Sequence, residues 1–310
     1  MSDGDWTEII IPVRGGTILA AARPGLPAHG RIDPAALLFA GHARIEPDEL
    51  VLGLNCGNGV AGAAAAKAGA GRIVLTDRNI VAVEATRRTL ALNGSDARAE
   101  VIACHGAYAV PADVVADVVF IRIPKDRDSL LQLIADAFVR LRIGGRCYLA
   151  GANAEGAKTA AKILAEVFGD ANSIAHGGGS RVVLATRKSE SPHAGLDGEF
   201  DAAALAGDAY HVVQAELRGF DVTLHARPGV FSRAHVDEAT ALLANAMRIE
   251  DGEHVLDLGC GSGALGIVAA KLTPAGSVTM VDADVEAVRS AARALTGRTG
   301  TAPPARSAPG

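Results

Sequence analysis

Aromatic residues are scarce in this sequence, making up 4% of its 310 residues and including a single tryptophan. Small and aliphatic residues are abundant instead, and small side chains allow helices to pack closely on a parallel sheet. An all-β sandwich is therefore disfavoured, and we expect an α/β protein. The chain is long enough for two domains, and its 49% hydrophobic content indicates well-buried cores.

Cysteine pairs and targeting segments are also missing. The four cysteines are dispersed without a CxxC pair, so neither a disulfide framework nor a zinc site is indicated. Acidic residues precede the first apolar run, unlike a signal peptide, and no uninterrupted apolar run reaches membrane-spanning length. We therefore expect a cytoplasmic protein that needs neither a membrane nor a metal ion.

The chain has no surplus of basic residues. Its formal net charge of -5 provides no global attraction to nucleic acid, so an RNA partner would need a local basic patch. The candidate RNA-binding residues are Arg122, Lys125 and Arg127, with further arginines at Arg140, Arg142 and Arg146. Scattered surface arginines without a binding role are the alternative.

An internal repeat is the most informative feature of the sequence. Residues 51–59 (VLGLNCGNG) reappear as residues 255–263 (VLDLGCGSG). With the same offset, residues 33–38 align with residues 237–242. Whole units have therefore been duplicated, and not one loop alone.

The first repeat alternates apolar strands with amphipathic helices. Strands are predicted at 51–54, 73–76, near 101, 118–121 and 146–150, and helices from 61, at 82–92, from a Ser129 cap to a stop at Gly144 and Gly145, and at 157–167. Residues 173–185 predict a hairpin around a glycine-rich turn, which makes the last strand antiparallel. We expect seven strands, and a sheet unlike the all-parallel sheet of dinucleotide-binding domains.

The second repeat is predicted to be shorter. Strands are expected at 211–217, 220–225 and 278–281, with helices at 237–247 and 285–295 around the glycine loop. Only the first two strands of its nucleotide-binding sheet are present. We predict a first domain at 1–188, a linker at 189–208, a cofactor-binding half domain at 209–296 and a disordered tail at 297–310.

The intact glycine loop predicts a nucleoside site. Asp257 lies near the end of an apolar strand. Gly259, Gly261 and Gly263 then form a turn tight enough for a ligand to approach the backbone. The next strand ends at Asp282, whose carboxylate can accept hydrogen bonds from both hydroxyls of a ribose. A helix follows the loop directly, which completes the expected β-α-β order.

The motif is compatible with two kinds of nucleoside cofactor. Residues 261–266 also satisfy the GxGxxG spacing, so an NAD(P)-dependent oxidoreductase is an alternative. Three features favour S-adenosyl-L-methionine: the acid two residues before the first glycine, the terminal hairpin of the sister domain, and the absence of a separate hydride-transfer domain.

These motifs resemble the tandem class I methyltransferase family that modifies guanine N2 in small- and large-subunit ribosomal RNA. The resemblance covers about residues 30 to 295. Its more specific segments are residues 117–125 (DVVFIRIPK) and residues 227–233 (RPGVFSR), whereas the glycine loop is common to many methyltransferases. The implied fold is two tandem Rossmann-like domains, the first complete and degenerate, the second truncated but with its cofactor loop intact.

The resemblance also implies the ligands. S-adenosyl-L-methionine would be the cofactor, and ribosomal RNA or a ribosomal subunit the partner. The implied cofactor-binding residues are Asp257, Gly259, Cys260, Gly261, Gly263, Asp282, Phe231 and Ser232. A core aromatic at a turn is the alternative for Phe231.

The first repeat departs from this pattern at its own glycine loop. Gly53 stands where Asp257 stands in the second repeat, and Asn55 replaces the first loop glycine. We therefore expect the first cofactor site to be lost and Asp77 to cap or solvate a strand end. The resemblance implies that this domain helps the chain to fold and holds RNA.

The expected methyl-acceptor motif is missing. The resembled family uses an Asn-Pro-Pro-aromatic segment at a strand end to hold the amine and to stack on the extruded base. No such segment occurs in this sequence, and the first repeat offers only residues 122–125 (RIPK) at the corresponding strand end. We therefore expect this polypeptide alone to transfer methyl groups weakly or not at all. A non-catalytic RNA-binding or assembly protein is the alternative.

Overall fold

The computed structural model describes residues 6–13, 16–26, 33–193, 210–230 and 235–296. The chain divides into two units, one within residues 2–208 and one within residues 209–310. The predicted tail and most of the predicted linker lie outside the described residues, so both stay predictions.

A seven-stranded sheet forms the centre of the first unit. Its strands are β3 (Leu50–Leu54), β4 (Arg72–Asp77), β5 (Ala99–Ala103), β6 (Ala116–Arg122), β7 (Leu141–Ala152), β8 (Asn172–Gly177) and β9 (Ser180–Thr186). They lie in the order β5-β4-β3-β6-β7-β9-β8. The first five are parallel, while β9 runs antiparallel to both β7 and β8. The predicted seven strands and antiparallel end are therefore confirmed.

Helices cover both faces of this sheet. They are α1 (Pro34–His42), α2 (Val60–Ala68), α3 (Ile80–Leu92), α4 (Arg127–Arg140) and α5 (Ala157–Phe168). Because successive side chains of a strand point to opposite faces, β3 contributes to two cores. Leu52 and Leu54 pack with residues of α4 and α5. Val51 packs with residues of α1 and α2.

The predicted boundaries of α4 were wrong at both ends. Asp126 caps the helix, because its carboxylate accepts a 2.8 Å hydrogen bond from the N–H of Ser129, which is buried in the first turn. The helix ends at Arg140, and Gly144 lies within β7. There its N–H donates to the carbonyl of Arg187 at 2.7 Å, so tertiary pairing of the strand overrides the local helix-stop signal.

An N-terminal hairpin precedes α1 and was not predicted. It pairs β1 (Thr7–Val13) with β2 (Gly16–Ala22) in antiparallel register. Ile11 and Ile18 pack on Val60 and Ala63 of α2. The alanine-rich sequence of β2 has weak strand propensity, so this strand depends on burial against the helix.

The second unit repeats the first half of the first. Its elements are β10 (His211–Leu217), β11 (Phe220–Ala226), α6 (Glu238–Ala246), β12 (His254–Leu258), α7 (Ala264–Leu272), β13 (Ser277–Val281) and α8 (Val285–Thr296). A shift of 204 positions, as from Val51 to Val255, carries β1, β2, α1, β3 and α2 onto β10, β11, α6, β12 and α7. The duplicated unit therefore includes the hairpin.

The two repeats begin their first helix in the same way. Asp33 caps α1 and accepts from the N–H of Ala35 at 3.0 Å. Asp237 caps α6 and accepts from the N–H of Thr240 at 3.1 Å. The side-chain oxygen satisfies a backbone donor that has no partner within the helix.

The sheet of the second unit contains two strands among the described residues. β12 and β13 pair in parallel. Within the described ranges, no helix is long and apolar enough to cross a membrane.

Candidate functional site

The glycine loop between β12 and α7 has a conformation that requires glycine. Gly259, Gly261 and Gly263 have φ values of 81°, 54° and 90°. An L side chain rarely adopts this left-handed backbone, which glycine reaches without a steric penalty. The N–H groups of Gly259 and Cys260 donate to the carbonyl of Val281 at 2.8 and 3.1 Å, so the loop is tied to the end of β13.

Asp282 lies beside this loop at the end of β13. Its Oδ2 accepts a 3.0 Å hydrogen bond from the N–H of Gly261, and its Oδ1 accepts a 2.9 Å hydrogen bond from the N–H of Asp284. These bonds hold the carboxylate in one orientation. Since a carboxylate oxygen can accept two hydrogen bonds, capacity remains for a pair of ligand hydroxyls.

A cavity of about 330 Å³ opens at this point and is lined by the loop, by Asp237, Asp282 and Asp284, and by Leu265 of α7. Its volume lies within the usual range for small-ligand sites. It lies outside the carboxyl ends of the parallel strands and at the N-terminus of α7, where open α/β sheets bind their ligands. A Cβ atom added at Gly259 or Gly261 would meet nothing within 4 Å, so a ligand can approach the backbone.

Asp257 is half-buried at the base of the loop. Burial raises the pKa of its carboxyl group above the ordinary value, the N–H of Gly266 partly opposes this rise, and the charge of Asp282 adds to it. Its Oδ2 is buried and has no hydrogen-bond partner among the described residues. A buried acceptor of this kind fits a cationic ligand group, such as the ammonium group of a bound amino acid.

Cys260 is buried in the same loop. Burial first, and then the negative charges of Asp282 and Asp257, raise the pKa of its thiol to about 11. The raised pKa keeps the thiol protonated near pH 7. Cys260 also lines the cavity beside Asp282, and its predicted contact with the cofactor stays a prediction.

Phe231 and Ser232 lie outside the described residues, so their predicted places near the pocket stay predictions. The segment before them contains Arg227, whose Nε donates to Oε2 of Glu286 at 2.8 Å. Both side chains are fully buried. This ion pair ties the end of β11 to the first turn of α8, and nothing in the spacing of the sequence indicated Glu286.

The first unit preserves the backbone of the same site. Oδ2 of Asp77 accepts from the N–H of Gly57 at 2.9 Å, and Oδ1 accepts from the N–H of Asn79 at 2.9 Å. These are the counterparts of the two hydrogen bonds that hold Asp282. Asp77 is buried and serves to hold the loop and the following turn, which agrees with its expected local role.

In the first unit, side chains lie at the positions that correspond to Asp257 and Gly259. A Cβ atom on Gly53, the counterpart of Asp257, would lie 2.5 Å from Cδ2 of Leu75. Asn55 replaces the first loop glycine at φ 59°, and its Nδ2 donates to the carbonyl of Arg122 at 2.9 Å. This geometry supports the expected loss of the first cofactor site.

Arg122 forms ion pairs within the first unit, and its predicted contact with RNA stays a prediction. Its Nε donates to Oδ2 of Asp33 at 2.8 Å, and its Nη1 donates to Oε2 of Glu155 at 2.8 Å. Burial tends to raise the pKa of Glu155, but the hydrogen bonds from Arg122 and from the N–H of Ala152 lower it below its ordinary value. The guanidinium group is therefore engaged within the first unit.

The remaining residues of the proposed basic patch differ in accessibility. Lys125 and Arg127 are exposed, so their predicted contacts with RNA stay predictions. Arg142 pairs with Asp117, and Arg146 pairs with Glu49. Among the described residues, no three His, Cys, Asp or Glu side chains are grouped so that they could hold a metal ion.

Comparison with known proteins identifies relatives for both repeats. The profile of the family described as "Methyltransferase small domain" matches residues 17–184 and 221–302. A protein named ribosomal RNA small subunit methyltransferase C from Hahella chejuensis is 30% identical over 200 residues, covering 62% of this chain and 56% of its own. The protein of the same name from Pseudomonas aeruginosa strain LESB58 is 38% identical over 109 residues, covering 35% of this chain and 32% of its own.

A solved structure is similar over nearly the whole chain. It is the T. thermophilus 16S rRNA N2 G1207 methyltransferase (RsmC) in complex with AdoMet and guanosine. The TM-score is 0.73 at 26% sequence identity, and the match covers 94% of this chain and 72% of that chain. The present chain spans about half the length of the Hahella relative. Because the family profile matches both repeats and well over half of the sequence, this chain belongs to the Methyltransferase small domain family.

Proposed function

We propose that the second unit binds S-adenosyl-L-methionine and that the protein acts as a methyltransferase of the ribosomal RNA guanine-N2 type. The cavity beside Asp282 supports this proposal, as does the similarity to a Thermus enzyme whose complex contains AdoMet and guanosine. Ribosomal RNA or a ribosomal subunit would be the partner, which would place the protein in the cytoplasm.

The contrast between the two repeats carries the proposal. Both fold the loop in the same way, but the first has the Asn55 side chain where the second has Gly259, and Gly259 lines the cavity beside Asp282. Oδ2 of Asp257, which has no hydrogen-bond partner among the described residues, belongs to the second repeat. The first repeat has Gly53 at the corresponding position. We attribute ligand binding to the second loop and a structural role to the first because of these residue differences.

Each residue of the open site then has a role. Asp282 would accept hydrogen bonds from the ribose hydroxyls, and Asp257 would face the ammonium group at the methionine end. The N–H groups at the start of α7 would face the ligand carboxylate, since a helix N-terminus favours negative charge. Gly259 and Gly261 would let the ligand lie against the backbone.

Methyl transfer from this cofactor depends on alignment more than on acid-base chemistry. S-adenosyl-L-methionine supplies a methyl group on a positively charged sulfonium, which is already an activated leaving group. The protein must hold the methyl group in line with the attacking amine, and correct orientation alone can lower a barrier by several kcal/mol. The described residues of the second unit provide the cofactor side of this alignment.

Calorimetric titration with S-adenosylhomocysteine tests the proposal. Asp282→Ala should lower the affinity at least tenfold, because hydrogen bonds to a charged group contribute about 1.5–3 kcal/mol each. Asp77→Ala changes the counterpart in the closed repeat and is the matched control, with circular dichroism to verify that both variants fold. No binding by the unaltered chain, or equal loss in both variants, would exclude the proposed site.

A second candidate function is RNA binding without catalysis. It is favoured by the first unit, whose loop has Gly53 and Asn55 where the second unit has Asp257 and Gly259. Salt-sensitive RNA binding by a chain that produces no methylated RNA would support it. The nicotinamide alternative is set aside, because the family shown for this chain is a methyltransferase family.

A further inference from the structure

The cavity of the second unit is strongly acidic. Asp237, Asp282 and Asp284 line it, and Asp257 is half-buried at the base of the same loop. Among the described residues that line the cavity, His235 is the single one with a basic side chain. Carboxylates that share a cleft in this way create a negative potential, which attracts a positively charged ligand.

The charges of three of these carboxylates act on the same point of the loop. Burial is the main cause that raises the pKa of the Cys260 thiol, and the negative charges of Asp282, Asp257 and Asp284 raise it further. Cys260 itself lines the cavity. The negative potential that opposes a thiolate at this position would stabilise a cation bound beside it.

The first unit shows that the structural role of Asp284 does not require a charge. Oδ1 of Asp284 accepts a 2.9 Å hydrogen bond from the N–H two residues further on, at the start of α8. Asn79 follows Asp77 at the same distance in sequence as Asp284 follows Asp282, and its Oδ1 accepts the equivalent hydrogen bond at 2.9 Å at the start of α3. Since asparagine and aspartate cap helices about equally well, the charge of Asp284 exceeds what the cap needs.

The repeats differ in charge at two corresponding positions. The second repeat has Asp257 and Asp284 where the first has Gly53 and Asn79. Both additional carboxylates belong to the repeat that contains the proposed cofactor site. The acidity of the cavity therefore goes beyond the strand-end acid that the two repeats share.

We propose that Asp284, together with Asp257 and Asp282, makes the site select its cofactor by positive charge, so that S-adenosyl-L-methionine binds more tightly than S-adenosylhomocysteine. This inference rests on the proposed function. The two molecules share their adenosine, ammonium and carboxylate groups. They differ at sulfur, which carries a methyl group and a positive charge in the first molecule and neither in the second.

Selection by charge gives turnover a direction. When the methyl group moves to an amine, the electron pair of the broken C–S bond stays on sulfur, which becomes a neutral thioether. The amine nitrogen takes up the positive charge until it loses a proton to solvent. The attraction between the carboxylates and the cofactor therefore weakens as the product forms, and the spent cofactor is released more readily than the fresh cofactor.

Calorimetric titration of the purified chain with three ligands tests the inference. The ligands are S-adenosyl-L-methionine, S-adenosylhomocysteine and sinefungin, in which a protonated amine replaces the methylated sulfonium. Both cationic ligands should bind about tenfold more tightly than S-adenosylhomocysteine, because each nearby carboxylate adds a favourable Coulomb interaction. The use of sinefungin separates the effect of the charge from contacts made by the methyl group.

Asp284→Asn removes one charge and keeps the helix cap. This variant should reduce the preference for the cationic ligands by about threefold and leave the affinity for S-adenosylhomocysteine within about twofold of its original value. Asp284→Ser is a second neutral variant that can cap the helix. Asn79→Asp is the matched control, because it adds a carboxylate at the corresponding position of the first unit and should leave the preference unchanged. Circular dichroism verifies that each variant folds.

Two results would overturn the inference. One is equal or tighter binding of S-adenosylhomocysteine by the unaltered chain. The other is an equal loss of affinity for all three ligands in Asp284→Asn, which would limit this residue to capping the helix. Binding of all three ligands without a preference rejects the inference alone, whereas no binding of any ligand rejects the proposed function and the inference with it.

Discussion

Nε of Arg227 donates a 2.8 Å hydrogen bond to Oε2 of Glu286, and both side chains are fully buried. This pair joins the end of β11 to the first turn of α8. The same turn continues to the cofactor site, since the N–H of Glu286 donates to Asp284 and the N–H of Asp284 donates to Asp282. The ion pair therefore stabilises the turn that holds Asp282, the residue that we propose binds the ribose hydroxyls.

Removal of one member of this pair should destabilise the second unit strongly. Glu286→Gln leaves the guanidinium group buried without its counter-charge, which typically costs about 3–5 kcal/mol. The double variant Arg227→Met with Glu286→Leu should lose less than the sum of the single variants, because no uncompensated charge remains. Urea unfolding of the three variants measures this, and additive losses would show that the two residues act independently.

Asp257→Asn should increase stability at neutral pH while weakening cofactor binding. Burial raises the pKa of this carboxyl group above 3.8, so the folded state favours its protonated form. The stability gained from the protonated carboxyl group is fully present below the unfolded pKa of 3.8 and is lost as the pH rises through the folded pKa. At neutral pH the ionised carboxylate therefore costs stability, and the neutral amide removes this cost while it can still accept from Gly266.

Urea unfolding as a function of pH measures the effect of Asp257→Asn. The advantage of the variant should be largest at neutral pH and should shrink as the pH falls towards 3.8. Titration with S-adenosylhomocysteine should show a loss of affinity at neutral pH. An advantage that did not depend on pH would point to a cause other than the buried charge.

Glu155→Gln should destabilise the first unit by roughly 1–2 kcal/mol, because it weakens charged hydrogen bonds with Arg122. The pKa of Glu155 is lowered from 4.5, so its contribution is present above that value and is lost as the pH falls through the folded value. Unfolding of the variant should therefore approach that of the unaltered chain in acid. A constant difference down to low pH would contradict this explanation.

Gly57→Ala and Gly261→Ala form a matched pair. Both glycines have positive φ, at 61° and 54°, and a Cβ atom at either would meet nothing within 4 Å. Each substitution should therefore cost a similar amount of stability, about 1–2 kcal/mol from backbone strain. Only Gly261→Ala should also weaken the binding of S-adenosylhomocysteine, because Gly261 lines the cavity beside Asp282. Equal affinity in the two variants would argue against a cofactor role for this loop.

Much of the architecture could be predicted from local patterns. Hydrophobic periodicity and glycine positions predict the alternation of strands and helices and the terminal hairpin at 173–185. They also predict the strand, glycine loop, helix and second strand of the cofactor motif. The N-terminal hairpin was missed, because the strand Gly16–Ala22 is rich in alanine and is stabilised by α2. The ends of α4 were misplaced, because pairing of β7 overrides a helix-stop signal at Gly144.

The sequence by itself determined the duplication, the family and the difference between the two glycine loops, because each of these depends on residue types at fixed spacing. The tertiary structure decided the ion-pair partners of Arg122, the partner of Arg227 and the exposure of Leu256 and Leu258. These properties depend on which distant segments meet or fail to meet. A sheet face is buried only when another element covers it, and the spacing of residues along one strand carries no record of that neighbour.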